Sequence, residues 1–171
     1  ARMLAPFGCK ISYYDVYRPS GEREKELNIS YLPLEEILKQ CDIISLHVPV
    51  LPSTVNMIDK KAIGMMKDNA ILINTSRGEL IDQEALVEAL ENGKIFCAVD
   101  TVTPEPVPKD HPLLNLSPKA SLRLIFTPHV AGTTVEAFIR MLQWAVANMK
   151  DVIKGKPPRN VVNGVEKARG V

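Results

Sequence analysis

Ala70–Asp82 reads AILINTSRGELID and packs a strand, a turn and a helix start into one short stretch. Ala70–Asn74 (AILIN) is apolar up to its last residue and too short for a helix, which predicts a buried strand. Asp82 then stands where a side-chain cap would open a helix over Gln83–Glu91, and Gly93 follows that helix's end. Between them, Arg77 is a lone cation placed just past a strand, followed by Gly78, which lets the chain turn tightly.

The same alternation extends both ways. Short apolar runs occur at Lys10–Tyr14, Asp42–Leu46, Ile95–Asp100 and Leu122–Thr127, with a further short strand expected at Asn28–Leu32. They are rich in Ile, Val and Leu without polar alternation, the pattern of strands covered on both faces. Helices are expected at Ala1–Phe7 (a tail stopped by Gly8), at Pro33–Gln40, and from a Thr133 or Thr134 cap to about Lys154. The last has an apolar stripe at Val135, Phe138, Ile139, Leu142, Ala145, Val146, Met149 and Val152, with Trp144 off it. Thr101–Lys119 holds five prolines and reads as a long loop. Strand and helix in alternation predict an α/β fold with a doubly wound, mostly parallel, Rossmann-like sheet.

The 171 residues fit one domain, and 46% hydrophobic content is enough for a core. A net charge of +1 has no basic excess for a phosphate backbone, so nucleic acid is not an expected partner. No apolar run reaches the about 18 residues of a membrane span, and no signal peptide is evident. Cys9, Cys41 and Cys97 are odd in number and widely spaced, which fits neither a disulfide framework nor a metal site. A reducing, cytoplasmic setting is expected.

In an open α/β sheet, ligands bind beyond the carboxyl ends of the strands. Asp15, His47, Thr75–Arg77, Asp100 and His129 all stand at or just after such ends. Asp15 can accept both hydroxyls of an adenosine ribose and would repel a 2′-phosphate, although it serves equally as a plain turn aspartate. Arg18 nearby weakens the preference for NAD over NADP. Val48 and Pro49 can wall an adenine, or simply end their strand. His47 is ambiguous. Asp100 can order a carboxamide at the end of its strand. Arg77 offers a planar fork that holds a carboxylate and polarises the adjoining carbonyl; an isolated surface arginine more often makes only a salt bridge. His129 can take a proton from a hydroxyl and return it to a carbonyl oxygen, and Glu105 is its candidate carboxylate partner, which would favour the charged imidazole. A lone loop histidine is more often merely structural, and His111 is assigned that role.

Several motifs in register carry a family resemblance: HVPVLPST at His47–Thr54, MKDNAILINTSRGELID at Met66–Asp82, ALVEALENGKIFCAVD at Ala85–Asp100, PEP at Pro104–Pro106, HPLL at His111–Leu114 and TPHVAGTT at Thr127–Thr134. Through them the chain resembles the NAD-binding domain of the D-isomer-specific 2-hydroxyacid dehydrogenases over essentially its whole length. The resemblance implies an NAD-dependent oxidoreductase that interconverts a D-2-hydroxy acid and a 2-oxo acid, most often as a homodimer. It places the catalytic arginine, glutamate and histidine on Arg77, Glu105 and His129. Cofactor contacts fall on Asp15, Val48, Pro49, Thr54, Thr75, Ser76, Arg77, Asp100, His129, Val130, Ala131 and Gly132.

Val102 departs from the family's usual aromatic. The family's glycine-rich phosphate loop and its strand would precede Ala1, and their absence implies that Lys10–Tyr14 loses a neighbour. Residues 1–156 are therefore expected to be a partial NAD-binding domain, with 157–171 beginning the return crossing to a substrate domain. The chain is expected to be a fragment inactive by itself. The alternative is a dinucleotide-sensing, corepressor-like binding module on the same fold; a further alternative is an assembly piece that binds nothing.

Overall fold

The computed structural model describes residues 1–159 and divides into two compact units, Ala1–Pro128 and His129–Val171. The expected return crossing at 157–171 lies outside the described residues from residue 160 on.

The first unit holds six parallel strands in two sheets. β1 (Ile11–Tyr13) pairs with β2 (Ile29–Tyr31), so the strand expected to lose a neighbour keeps one. The second sheet has the order β3-β4-β5-β6, formed by Ile43–Leu46, Ala70–Asn74, Ile95–Val99 and Leu124–Phe126. All four lie within the apolar runs read from the sequence, and β4 matches its run at both ends.

The helices of this unit are α1 (Gly21–Leu27), α2 (Leu34–Gln40), α3 (Lys60–Met65), α4 (Gln83–Glu91) and α5 (Pro118–Ser121). Asp82 caps α4 as expected, accepting from Ala85 N at 3.1 Å. The chain leaves that helix through Gly93 at φ +70°, a conformation costly for other residues. α3 is not signalled by any apolar period; it forms because Asp59 accepts from Ala62 N at 2.7 Å and because Ala62 and Ile63 are buried. Ala1–Phe7 is not an α-helix but ends in a single 3-10 turn, Ala5–Phe7, that buries none of its residues. Without an apolar surface to cover, so short a piece has little to hold it helical. The proline-rich loop also contains structure: a 3-10 turn at Pro112–Leu114 and α5 itself.

The core lies between one face of the four-stranded sheet and α2 to α5. Ile44, Leu46, Leu72, Ile95, Cys97 and Val99 point inward and meet Leu38, Ile63, Leu86, Leu90 and Ala120. Here the expectation of strands buried on both faces is corrected. Burial alternates along β3, β4 and β5, and Ile43, Ile71, Phe96 and Ile125 are exposed on the other side. Apolar residues occupy both faces of these strands, but α2 to α5 cover only one.

In the second unit, Thr134 Oγ1 accepts from Ala137 N at 3.1 Å and opens α6 (Val135–Ile153). The cap and length agree with the sequence. No described residue of α6 is buried: its whole apolar stripe, and Trp144, are exposed or partly so.

Candidate active site

The loops that follow β4 and β5 form the centre of the site. Asn74, at the end of β4, is fully buried, which an amide tolerates only when it is hydrogen-bonded. Its Nδ2 donates to Arg77 O at 2.7 Å and its Oδ1 accepts from Ser76 N at 3.0 Å. Ser76 Oγ donates to Leu46 O of the neighbouring strand at 2.9 Å. The backbone around Arg77 is thus pinned from two strands, while its side chain is exposed and Nη1 donates to Ser76 O at 2.7 Å. Thr75 is exposed beside it.

Gly78 is where this turn meets the next loop. A Cβ there would lie 2.3 Å from Val102 C, inside any permissible contact. Glycine therefore lets the two backbones touch, and Val102, the departure from the family's aromatic, is itself buried. Beyond Val102 the loop is held by Gln83 Nε2 donating to Thr103 O and by His111 Nε2, 3.2 Å from the same oxygen. His111 is buried and its Nδ1 accepts from Leu113 N at 3.3 Å, in keeping with its structural assignment. Glu105 Oε1 accepts from Val102 N at 3.3 Å and the residue is exposed. The structure thus brings Arg77 and Glu105 onto two interlocked loops at adjoining strands, β4 and β5.

The expected cofactor residues of the first unit lie in the loops after β1, β3, β4 and β5. Asp100 N donates to Asn74 O at 2.9 Å, and Thr127 Oγ1 donates to the Asp100 carboxylate. Val48 packs against the core and Pro49 is exposed; Pro49 O and Leu51 N both bond Thr54 Oγ1, at 2.7 and 2.8 Å. His47 bonds Ser45 Oγ through Nε2 at 2.9 Å. Asp15 is exposed just past β1, and its Oδ1 accepts from Tyr17 N at 2.9 Å. An exposed, turn-fixed carboxylate of this kind can accept ribose hydroxyls.

His129, Val130, Ala131 and Gly132 open the second unit. His129 has φ +52°, a left-handed conformation in which histidine is enriched among non-glycine residues. Thr133 N and Oγ1 both donate to Val130 O, at 3.0 and 2.7 Å, closing the turn ahead of α6. Asn74 and Thr127 are the supporting residues that the sequence reading passed over. The signal for Asn74 was an amide ending an otherwise apolar strand; Thr127 offered none. No group of three or more metal-binding side chains is found among the described residues. No helix among them is long and apolar enough to cross a membrane.

The family described as D-isomer specific 2-hydroxyacid dehydrogenase, NAD binding domain, matches residues 1–131. The chain belongs to that family. It is 41% identical over 164 residues to a glyoxylate reductase of Korarchaeum cryptofilum, covering 95% of this chain and 48% of that one. A hydroxypyruvate reductase of Blautia hydrogenotrophica is 40% identical, with 95% and 48% covered. The chain spans about half the length of the curated relatives it matches. Among solved structures, D-lactate dehydrogenase with NAD+ from Lactobacillus jensenii superposes with a TM-score of 0.79 at 34% identity, over 95% of this chain and 51% of that one. A Granulicella formate dehydrogenase gives 0.85 at 30% identity, over 98% and 45%. These likenesses confirm the α/β, Rossmann-like class read from the sequence.

Proposed function

We propose that this domain binds NAD and that, in a protein of its relatives' length, it serves an oxidoreductase interconverting a D-2-hydroxy acid and a 2-oxo acid. The observation that carries this reading is the Arg77–Gly78 turn, locked against the Val102–Glu105 loop at adjoining strand ends, in a chain of this family.

The residues present suit the cofactor. Asp15 offers an acceptor for ribose, Val48 and Pro49 an apolar wall, and Thr54, Thr75, Ser76 and Asp100 polar or backbone groups after their strands, to which the family resemblance adds His129 to Gly132. Bound here, the nicotinamide would supply the hydride acceptor for oxidation and, in its reduced form, the donor for reduction. Arg77 holds the substrate's carboxylate and polarises the adjoining carbonyl, drawing electron density from its carbon toward its oxygen. His129 gives its proton to that oxygen in reduction and takes it back in oxidation. Glu105 is the carboxylate that the family resemblance assigns to support this proton transfer. Small 2-oxo acids such as glyoxylate and hydroxypyruvate, the substrates in its relatives' names, are the first to try. We place the working form as a cytoplasmic homodimer: three free cysteines suit a reducing setting, and apolar side chains stand exposed on the sheet.

The deciding measurement is a fluorescence titration of the chain with NADH, followed by turnover of the longer protein on a panel of 2-oxo acids. Binding with turnover is the expected result. Binding without turnover on any acid would favour the dinucleotide-sensing module instead. Failure of both the folded chain and the folded longer protein to bind NADH would remove the proposal.

A further inference from the structure

Arg18 lies close in sequence to Asp15, where a free guanidinium would attract the 2′-phosphate that distinguishes NADP from NAD. The structure shows it engaged elsewhere. Its Nε donates to Glu24 Oε1 at 2.8 Å and its Nη2 to Glu24 Oε2 at 3.2 Å. The guanidinium also stacks on the Tyr31 ring, 4.9 Å from its centroid.

The partner is firmly built. Glu24 sits in α1, whose first turn is capped by Ser20 Oγ accepting from Arg23 N at 3.3 Å. Tyr13 OH donates to the same Glu24 Oε1 at 2.5 Å. Tyr13 and Tyr31 are paired across β1 and β2, and their rings meet edge to face at 5.6 Å. The Glu24 side chain is only 15% exposed, against 60% for Arg18. Most surface ion pairs contribute little, but a two-bonded fork within a network, stacked on an aromatic ring, is the favourable exception. The Arg18 and Tyr13 hydrogen bonds also hold the Glu24 carboxyl below the usual glutamate range, so it stays charged at neutral pH.

We propose that Glu24 is a positioning residue for cofactor choice: by engaging Arg18 it withholds that cation from a 2′-phosphate and leaves Asp15 to select a dinucleotide with a free 2′-hydroxyl. This rests on the NAD-binding reading above. It identifies a pair, Arg18 and Glu24, whose state sets selectivity although neither needs to touch NAD.

The test titrates the chain with NADH and with NADPH by their own fluorescence, for the unaltered protein and for Glu24→Ala, Arg18→Gln and the double variant. Alanine is a good helix former, so α1 should persist, and a thermal melt of each variant checks this. Glu24→Ala should tighten NADPH by about tenfold or more, the scale of one charge-assisted hydrogen bond, and leave NADH within about twofold. The double variant should lose that gain. Arg18→Gln alone should change neither cofactor, because the unaltered protein already withholds the cation. If Glu24→Ala leaves the NADPH-to-NADH ratio where it was, or Arg18→Gln alone weakens NADPH, the positioning role is wrong while NAD binding stands. If the unaltered chain binds no NADH, the same titrations on the longer protein decide, and no NADH binding there removes both readings together. Should Glu24→Ala not fold, Glu24→Gln, which keeps the side-chain length and removes the charge, replaces it with the same expected gain in NADPH binding, and an unchanged NADPH-to-NADH ratio there overturns the role.

Discussion

At the residue scale, the site depends on a few positions where no other side chain fits. Gly78→Ala would drive a methyl group into the Val102 backbone, which no side-chain rotation relieves. The expected cost is about 3 kcal/mol, read by urea unfolding, with the Arg77 turn displaced as well. Thr101 is the reverse case. Its hydroxyl is buried with no hydrogen-bond partner among the described residues, so Thr101→Val should be neutral or stabilising in the same experiment. The cysteines offer a third check. Burial pushes the Cys97 thiol up to about 12, whereas Cys9 is exposed. A thiolate is the reactive form, so alkylation of the native protein at pH 8 should label Cys9 first and spare Cys97 until the chain is unfolded. Rapid labelling of Cys97 would contradict its burial. Of these features, the turn at Gly78 was legible from its place after a strand. That it must be glycine was not, because the obstructing atoms belong to Val102, well down the chain.

At the scale of elements, caps and apolar stripes account for most of what forms. Leu86 lies on the inward face of α4 and is 1% exposed. Leu86→Ala should lower stability by about 2–5 kcal/mol, and a smaller loss in denaturant titration would mean that the α4 face is poorly packed. α5 depends on a longer connection: Glu91, at the end of α4, accepts from Ser117 N at 2.8 Å and from Ser117 Oγ. The Ser117 side-chain bond first, then its backbone bond, lowers the Glu91 carboxyl below its ordinary 4.5. A depressed folded value adds stability at pH above about 4.5 that is lost as pH falls through the lower folded value. Glu91→Gln should therefore flatten the stability profile below pH 4.5, and an unchanged acid limb would show the contact to be idle. The helix boundaries at Gln83–Glu91 and Val135–Ile153 were legible because caps and stripes are local signals. α3 was not, since it is short and owes its place to Asp59 and to the core above it.

At the scale of the whole molecule, the first unit buries one face of its four-stranded sheet and exposes apolar side chains on the other. Such patches favour association. Light scattering of the chain at rising concentration should show species larger than a monomer. Ile125→Ser, at a 66% exposed position, should reduce them with a stability change within about 0.5 kcal/mol. A monomer at all concentrations would count against the homodimer.

The sequence by itself determined the alternation of strands and helices, the parallel class of sheet and the succession of Asp15, Arg77, Asp100, Glu105 and His129 at or after strand ends. Each of these follows from short-range signals: apolar runs, caps, turn residues and motif spacing. Only the tertiary structure decided which sheet face is buried, that Gly78 rests on Val102, and that Arg18 is held by Glu24 and Tyr31. Those depend on which distant segments meet, and a local pattern of residue types carries no record of its partners across the fold.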